Sequence, residues 1–131
     1  MPFPLEEIYI EETENVMSVK FPPDFKSRML KSNGGELVTD DFAFELHPFF
    51  DKSDKKRISR TCNHIALETE NAREWFGFPK DGVAIGSDAY GNIILLKHRG
   101  DGILSDEIHF WNHETGETFK IAETILALDM S

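Results

Sequence analysis

The side chains that could move a proton, attack an electrophile or hold a metal are five histidines, one cysteine and 24 carboxylates. Spacing limits what they can do together. Cys62 and His64 are two residues apart, about 200° around a helix, so they cannot act on each other as nucleophile and base. Cys62 shares its predicted helical face with Ile58, Ile65 and Ala66, and a buried, inert thiol is the expectation there. His109 and His113 on one strand stand about 13 Å apart, too far to share a metal. His98 and His109 could approach diagonally across a hairpin, but no carboxylate is placed beside them. The run His113-Glu114-Thr115-Gly116-Glu117 begins like a zinc-protease helix, yet it closes on glutamate inside a predicted turn. A calcium loop counted from Asp88 meets Ile93 where glycine is required and Arg99 where a bidentate glutamate is required. Neither a Gly-Lys-Ser/Thr phosphate loop nor a Gly-x-Ser-x-Gly elbow occurs. A single cysteine excludes an intramolecular disulfide framework and a multi-cysteine zinc site. Carboxylates are too plentiful for any pair to be singled out; with the enzyme motifs failing, no catalytic residue, metal ligand or cofactor is named, and the chain is expected not to be an enzyme.

The elements that carry these residues follow from apolar spacing. In the first 20 residues Leu5, Ile8, Val16 and Met17 hint at a helix, while Ile8-Tyr9-Ile10 would equally suit a strand. Phe21-Pro22-Pro23-Asp24, followed by Phe25, Met29 and Leu30 and then Asn33-Gly34-Gly35, predicts a short helix over 23–32. Phe42, Phe44 and Leu46 alternate as a strand does. From 51 to 76 the period becomes helical, with Ile58, Cys62, Ile65, Ala66, Thr69, Ala72 and Phe76 on one face, and Leu67 and Trp75 outside it. One long helix is expected there, capped by Gly77 and stopped by Pro79. Strands are then predicted over 83–85, 93–98, 107–112 and 118–121, and a short helix over 122–128 closes the chain.

Turns centred near Gly102 and on Thr115 set an expected register. Leu96 then faces His109, Ile94 faces Trp111, Trp111 faces Phe119 and His109 faces Ile121. One sheet face would carry Ile94, Leu96, His109, Trp111, Phe119 and Ile121; the other would carry Ile93, Leu95, Ile108 and Phe110. A slip of one residue would exchange the two sets. Two apolar faces imply helical cover on one and either a helix or a partner on the other, with cover the expectation.

Charge is unevenly placed. The net charge is −10 and the pI about 4.9. Residues 1–19 contribute −5 and residues 101–131 contribute −6, whereas 20–100 sum to +1. A field of this sign repels nucleic acid and anionic membrane and attracts basic partners, although Glu-rich ends also serve solubility alone. The basic run Lys52, Lys55, Lys56, Arg57 and Arg60 is diluted by Asp51 and Asp54 and has no interleaved aromatic, so a solvated helix face is expected. The 40% hydrophobic content is too high for a disordered acidic tail, and 131 residues suit one domain: an acidic segment, 1–20, joined to a body of 21–131. No apolar run approaches the roughly 18 residues of a membrane helix. Acids stand at Glu6 and Glu7 where a signal peptide carries bases. A cytoplasmic protein is expected.

Three segments resemble one family. Phe21-Pro22-Pro23-Asp24-Phe25 through Asn33-Gly34-Gly35 is similar to the opening of the SUKH superfamily. Phe78-Pro79-Lys80-Asp81-Gly82-Val83-Ala84-Ile85-Gly86 with Asp88, Gly91 and Asn92 resembles its central strand-turn-strand. Ile108-His109-Phe110-Trp111-Asn112-His113-Glu114 is similar to its Trp-Asp-His-Glu strand, with Asn112 where aspartate is frequent. The resemblance spans about 21–128. It implies an α+β fold, a mostly antiparallel sheet flanked by helices, and a protein-binding role. Bacterial members are typically immunity proteins that neutralise a cognate toxin, often a nuclease, and eukaryotic relatives regulate cell-wall assembly.

The expected function is accordingly an immunity protein whose acidic surface docks on a basic toxin domain; a regulatory scaffold without a toxin partner is the alternative. Loops carry binding more often than cores do. The expected contacts are therefore Asp88, Tyr90 and Asn92, with Asp101, Asp106 and Glu107 beside them. Trp111 and Phe110 are also of interface-anchoring type, but are expected in the core.

Overall fold

The computed structural model describes residues 3–39 and 41–128; Asp40, the first two positions and the last three of the expected domain lie outside the described residues. The acidic opening segment is helical: α1 (Glu7–Met17) buries Ile10, Thr13 and Glu14 and ends on Ser18, whose backbone turns left-handed at φ 57°. Ile8 is half exposed and Ile10 fully buried, so Ile8-Tyr9-Ile10 is one turn of a helix rather than a strand. The Glu14 carboxylate accepts a hydrogen bond from the Phe21 N–H at 2.8 Å and lies 3.9 Å from the ammonium groups of both Lys20 and Lys26. A buried carboxylate with this many donors locks the corner between α1 and the next helix.

That helix, α2 (Pro23–Lys31), starts on the expected proline and buries Phe25 and Met29. The Asn33 side chain then acts as a backbone substitute, accepting from Phe49 N–H and donating to Phe49 C=O at 2.8 and 2.9 Å. A hairpin follows: β1 (Gly35–Val38) and β2 (Ala43–Leu46), paired with Glu36 opposite Glu45 and Leu37 opposite Phe44.

The expected long helix over 51–76 is two helices, α3 (Lys55–Arg60) and α4 (Ile65–Arg73). Polar capping groups outcompete the apolar stripe. Asp54 caps α3 by accepting from Arg57 N–H at 2.8 Å, and His64 caps α4. Between them the Thr61 hydroxyl donates to Arg57 C=O and accepts from Asp51 N–H, while Ile65 N–H donates to Pro48 C=O. Cys62 therefore sits in the break, on no helix, and is exposed. Ile58 is also substantially exposed. The α4 cap is Glu74, so Gly77 falls in the connection that follows rather than at the helix end. Arg57, Arg60 and Lys56 gather over the ring of Phe3, at 4.6, 5.2 and 5.8 Å from its centroid. The basic run thus has an aromatic partner, one supplied from more than 50 residues away in sequence.

The remaining strands are β3 (Gly82–Ser87), β4 (Ile93–Gly100), β5 (Ile103–Leu104), β6 (Ile108–Trp111) and β7 (Thr118–Ala122), and α5 (Ile125–Leu128) closes the chain. The strand pairs are antiparallel in the order β1-β2-β3-β4-β6-β7, with β5 added on β4; a single parallel bridge joins Lys20 to Ile103. The architecture is α+β, as expected.

The expected register is wrong by one residue. Ile94 pairs with Phe110, Ile93 with Trp111, and Phe110 with Phe119. The extra pair β4–β5 and irregularities at His98–Gly100 and Ile108–His109 shift both hairpins. The residues of β6 change sides while Phe119 stays on the Ile94 face, stacked on Phe110 at 5.2 Å, because the slips on the two sides of β6 cancel. Ile94, Leu96, Ile108 and Phe110 join Phe44, Leu46, Val83 and Ile85 beneath α1, α2 and α5 in the main core. Leu95 and Trp111 join Ala84, Phe78 and Ala72 of α4 in a smaller core on the opposite face. Trp111 and Phe110 are both buried, as expected.

Candidate protein-docking surface

The turns 88–92 and 112–117 lie at one end of the sheet, and the 74–81 connection meets the latter near Gly77 before running on to Gly82, which is opposite Lys97 toward the other end of β4. The two turns are held by their own polar residues. In 88–92, one Asp88 carboxylate oxygen accepts from Tyr90 N–H and Asn92 N–H at 2.9 Å, and the other accepts from Asn92 Nδ2 at 3.0 Å. Asn92 then bridges to the other turn: its Oδ1 accepts from His113 N–H at 3.1 Å and lies 2.8 Å from His113 Nδ1. An amide oxygen only accepts, so this contact places the imidazole proton on Nδ1. Aspartate at 92 could not donate to Asp88 as this amide does. Within 112–117, Asn112 Oδ1 accepts from Glu114 and Thr115 N–H at 2.8 and 3.2 Å. The 74–81 connection meets this turn backbone to backbone at Gly77 and Gly116: a Cβ on Gly77 would stand 3.0 Å from Gly116 Cα, and both have φ near +80°. Phe78 anchors that connection in the small core, its ring edge-on to Trp111 at 5.5 Å.

These pinned loops hold aromatic surface out to solvent. Phe76 is 96% exposed, Tyr90 79% and Trp75 58%. The three segments also carry Glu74, Asp81, Asp88, Glu114 and Glu117, with Lys80 the one base besides His113. Phe76 belongs to the expected buried stripe of 51–76, and its exposure overturns that placement; the stripe ends with α4 at Arg73. The signal for Trp75 and Phe76 was their position just before Gly77-Phe78-Pro79, where a helix cannot continue.

Asp101, Asp106 and Glu107 are elsewhere. The eight residues of β4 separate Asp101 from the Asp88 loop by about 26 Å. Asp101 occupies the β4–β5 turn at φ 53°. Glu107 pairs with Lys120 at 3.5 Å, and Lys120 in turn holds Glu123 at 2.7 Å; Glu123, then Glu107, raise the Lys120 pKa above its ordinary value. The six expected contact residues therefore form two groups at opposite ends of one strand.

Among the described residues no group of three or more His, Cys, Asp or Glu could hold a metal. No helix among them is long and apolar enough to cross a membrane. The sequence model of the SMI1 / KNR4 family (SUKH-1) matches residues 4–128, from the first turns before α1 through α5. The chain belongs to this family. Its opening SUKH-like motif is α2 with the Asn33 bridge, its central motif is β3, the Asp88 loop and the start of β4, and its third is β6 with the Asn112 turn. No curated protein and no solved structure matches the chain. SUKH-1 membership is consistent with a protein-binding role, which the loop surface could serve.

Proposed function

We propose that this SUKH-1 protein is an immunity protein: it binds and neutralises a cognate bacterial toxin in the cytoplasm by docking, without catalysis. The observation that carries this reading is the exposure of Trp75, Phe76 and Tyr90 on anchored loops: Asp88 and Asn92 pin the Tyr90 loop, while Phe78 and the Gly77–Gly116 approach anchor the connection that carries Trp75 and Phe76. Rigid exposed aromatics lose little conformational entropy on binding and bury large area, which is the profile of an interface anchor. The carboxylates of these segments suit a basic partner, because complementary potentials speed encounter and reject other surfaces. A nuclease toxin fits, since a protein that binds phosphate backbones carries the basic surface this end attracts. Asp88 and Asn92 then contribute by shaping the loop, and Tyr90 by contact. Asp101, Asp106 and Glu107 form a second acidic group that the same partner meets only if it spans the length of β4.

Co-expression with a toxin encoded beside the gene tests this. The double variant Phe76→Ala, Tyr90→Ala is expected to lose protection by tenfold or more, about 1.4 kcal/mol or above, with its fold unchanged. Charge reversal at Asp101, Asp106 and Glu107 is expected to act mainly on association rate. Full protection by the double variant would remove this surface from the interface. A protein that captures host proteins but protects against no toxin would favour the scaffold reading.

A further inference from the structure

We infer that the open edge of β1 is a strand-addition site for an extended segment of a protein partner that carries Lys or Arg at alternate positions. Among the described residues β1 ends the sheet and pairs only with β2. The Thr39 N–H donates to Phe42 C=O at 2.7 Å, which marks 39 and 42 as a hydrogen-bonded pair. Antiparallel ladders alternate, so Leu37 and Gly35 spend their backbone groups on β2, whereas the N–H and C=O of Glu36 and Val38 point outward. An added strand would lie about 4.8 Å beyond them. Space is present: a groove of about 750 Å³ runs between β1, α2 and α5, lined by Glu36, Val38, Arg28, Lys31 and Leu126 among others.

Charge selects the occupant. Glu36 and Glu45 face each other across the strands as a non-hydrogen-bonded pair, the closer kind, and both are exposed. Like charges placed directly opposite destabilise a sheet. They line a second groove of about 260 Å³ together with Asp88, Val38, Ala43 and Ala89, and no base lines it among the described residues. Edge strands do use charge to repel unwanted pairing, but Glu45 lies on β2, which is paired on both sides, so edge protection does not account for it. A second copy of this chain is a poor occupant, because it would set Glu36 against another acidic edge on a molecule of net charge −10. A segment with alternate Lys or Arg would direct its cations to Glu36, Glu45 and Asp88 and its intervening apolar residues toward Leu126, which is 53% exposed. The groove reaches the Asp88 loop, so one partner could use both surfaces. The inference requires a protein partner but not a toxin.

The probe is an alternating lysine–valine hexapeptide, with a glutamate–valine hexapeptide as control. At saturating lysine peptide, hydrogen exchange at the Glu36 and Val38 amides should slow about tenfold or more, and the control should leave both unchanged. Val38→Pro removes an outward donor and should abolish binding. Should that variant fail to fold, the exposed pair Glu36→Gln, Glu45→Gln keeps the test: it should weaken binding about tenfold and flatten its salt dependence. Phe76→Ala, Tyr90→Ala should bind the peptide normally, which separates this inference from the toxin reading. Absence of binding, binding that leaves the two amides unprotected, or sedimentation showing a dimer formed through β1 would each overturn it.

Discussion

On one face of the sheet, three helices press Ile10, Phe25, Met29 and Ile125 onto strand residues from β1 through β6, and Phe21, Phe25 and Phe49 form a ring cluster with centroids 5.0 to 5.9 Å apart. On the other face, α4 and the 74–81 connection cover Ala84, Leu95 and Trp111 with Ile93 beside them, and the strands of the first hairpin turn Glu36, Val38, Ala43 and Glu45 to solvent. The same strands thus serve two purposes. Apolar area removed from water on the first face supplies most of the stability. The second face holds enough core to pin the connection that displays Trp75 and Phe76, and leaves the rest uncovered. Separating stability from display lets the display surface vary without unfolding the protein.

The largest expected effect tests that division. Phe25→Ala, at a position 1% exposed, should cost about 3–5 kcal/mol in chemical denaturation, because the ring cluster cannot collapse around the void. Phe78→Ala on the second face should cost about 2 kcal/mol, since a connection relaxes more readily than packed helices. It should also accelerate exchange at the amides of 74–81 while the first-face core stays protected. Equal costs at the two positions would break the comparison.

How much of this can be read from residues alone depends on whether one signal or several act at a position. α2 is legible because Pro23, the Phe25–Met29 spacing and the glycines after it all agree. The α3–α4 break is not, because an unbroken apolar stripe and a string of capping residues occupy the same stretch, and only tertiary partners such as Asp51 and Pro48 decide between them. β1 is missed because Gly-Glu-Leu-Val offers one buried side chain, Leu37. The register slips because irregular pairing at Gly100 and His109 leaves no residue-level mark strong enough to count. For the docking surface, Asp88, Tyr90 and Asn92 are legible as a loop, and Glu107 and Asp101 as exposed or edge acids. Their separation along β4 is not, nor is the approach of Gly77 to Gly116, which joins loops 39 residues apart in sequence.

A change of pH sharpens the contrast between the faces without replacing a core residue. His47, where β2 leaves the sheet, is buried, and burial alone lowers its pKa to about 4 from the usual 6.5. The folded state therefore holds the imidazole neutral at pH values where the unfolded chain takes up a proton. The stability this site confers is whole above pH 6.5 and is lost progressively as pH falls to about 4, a total of about 3 kcal/mol. Burial also lowers the pKa of His64 and of His109, the latter helped by Lys97, and both add in the same direction. Denaturation midpoints measured from pH 7 to 4 should fall, and His47→Asn should remove most of the slope between 6.5 and 5. An unchanged slope in that variant would assign the acid sensitivity to the half-buried histidines instead.

The smallest expected effect discriminates most sharply between a continuous second-face helix and the broken one. In a single helix over 51–76, Cys62 would lie against Ile65 and Ala66, and a thiol reagent would reach it only after unfolding. In the break between α3 and α4 it is exposed, and neither flanking helix packs over it. Native protein should therefore react with a thiol reagent within about threefold of the rate of the denatured chain. Cys62→Ser should move stability by less than about 0.5 kcal/mol, the ordinary range for a surface position. Protection of the thiol together with a loss above about 1 kcal/mol on substitution would mean that the stripe is continuous after all. The second face would then be closed by one rigid helix, and the 74–81 connection would lose the freedom to place Trp75 and Phe76 in solvent.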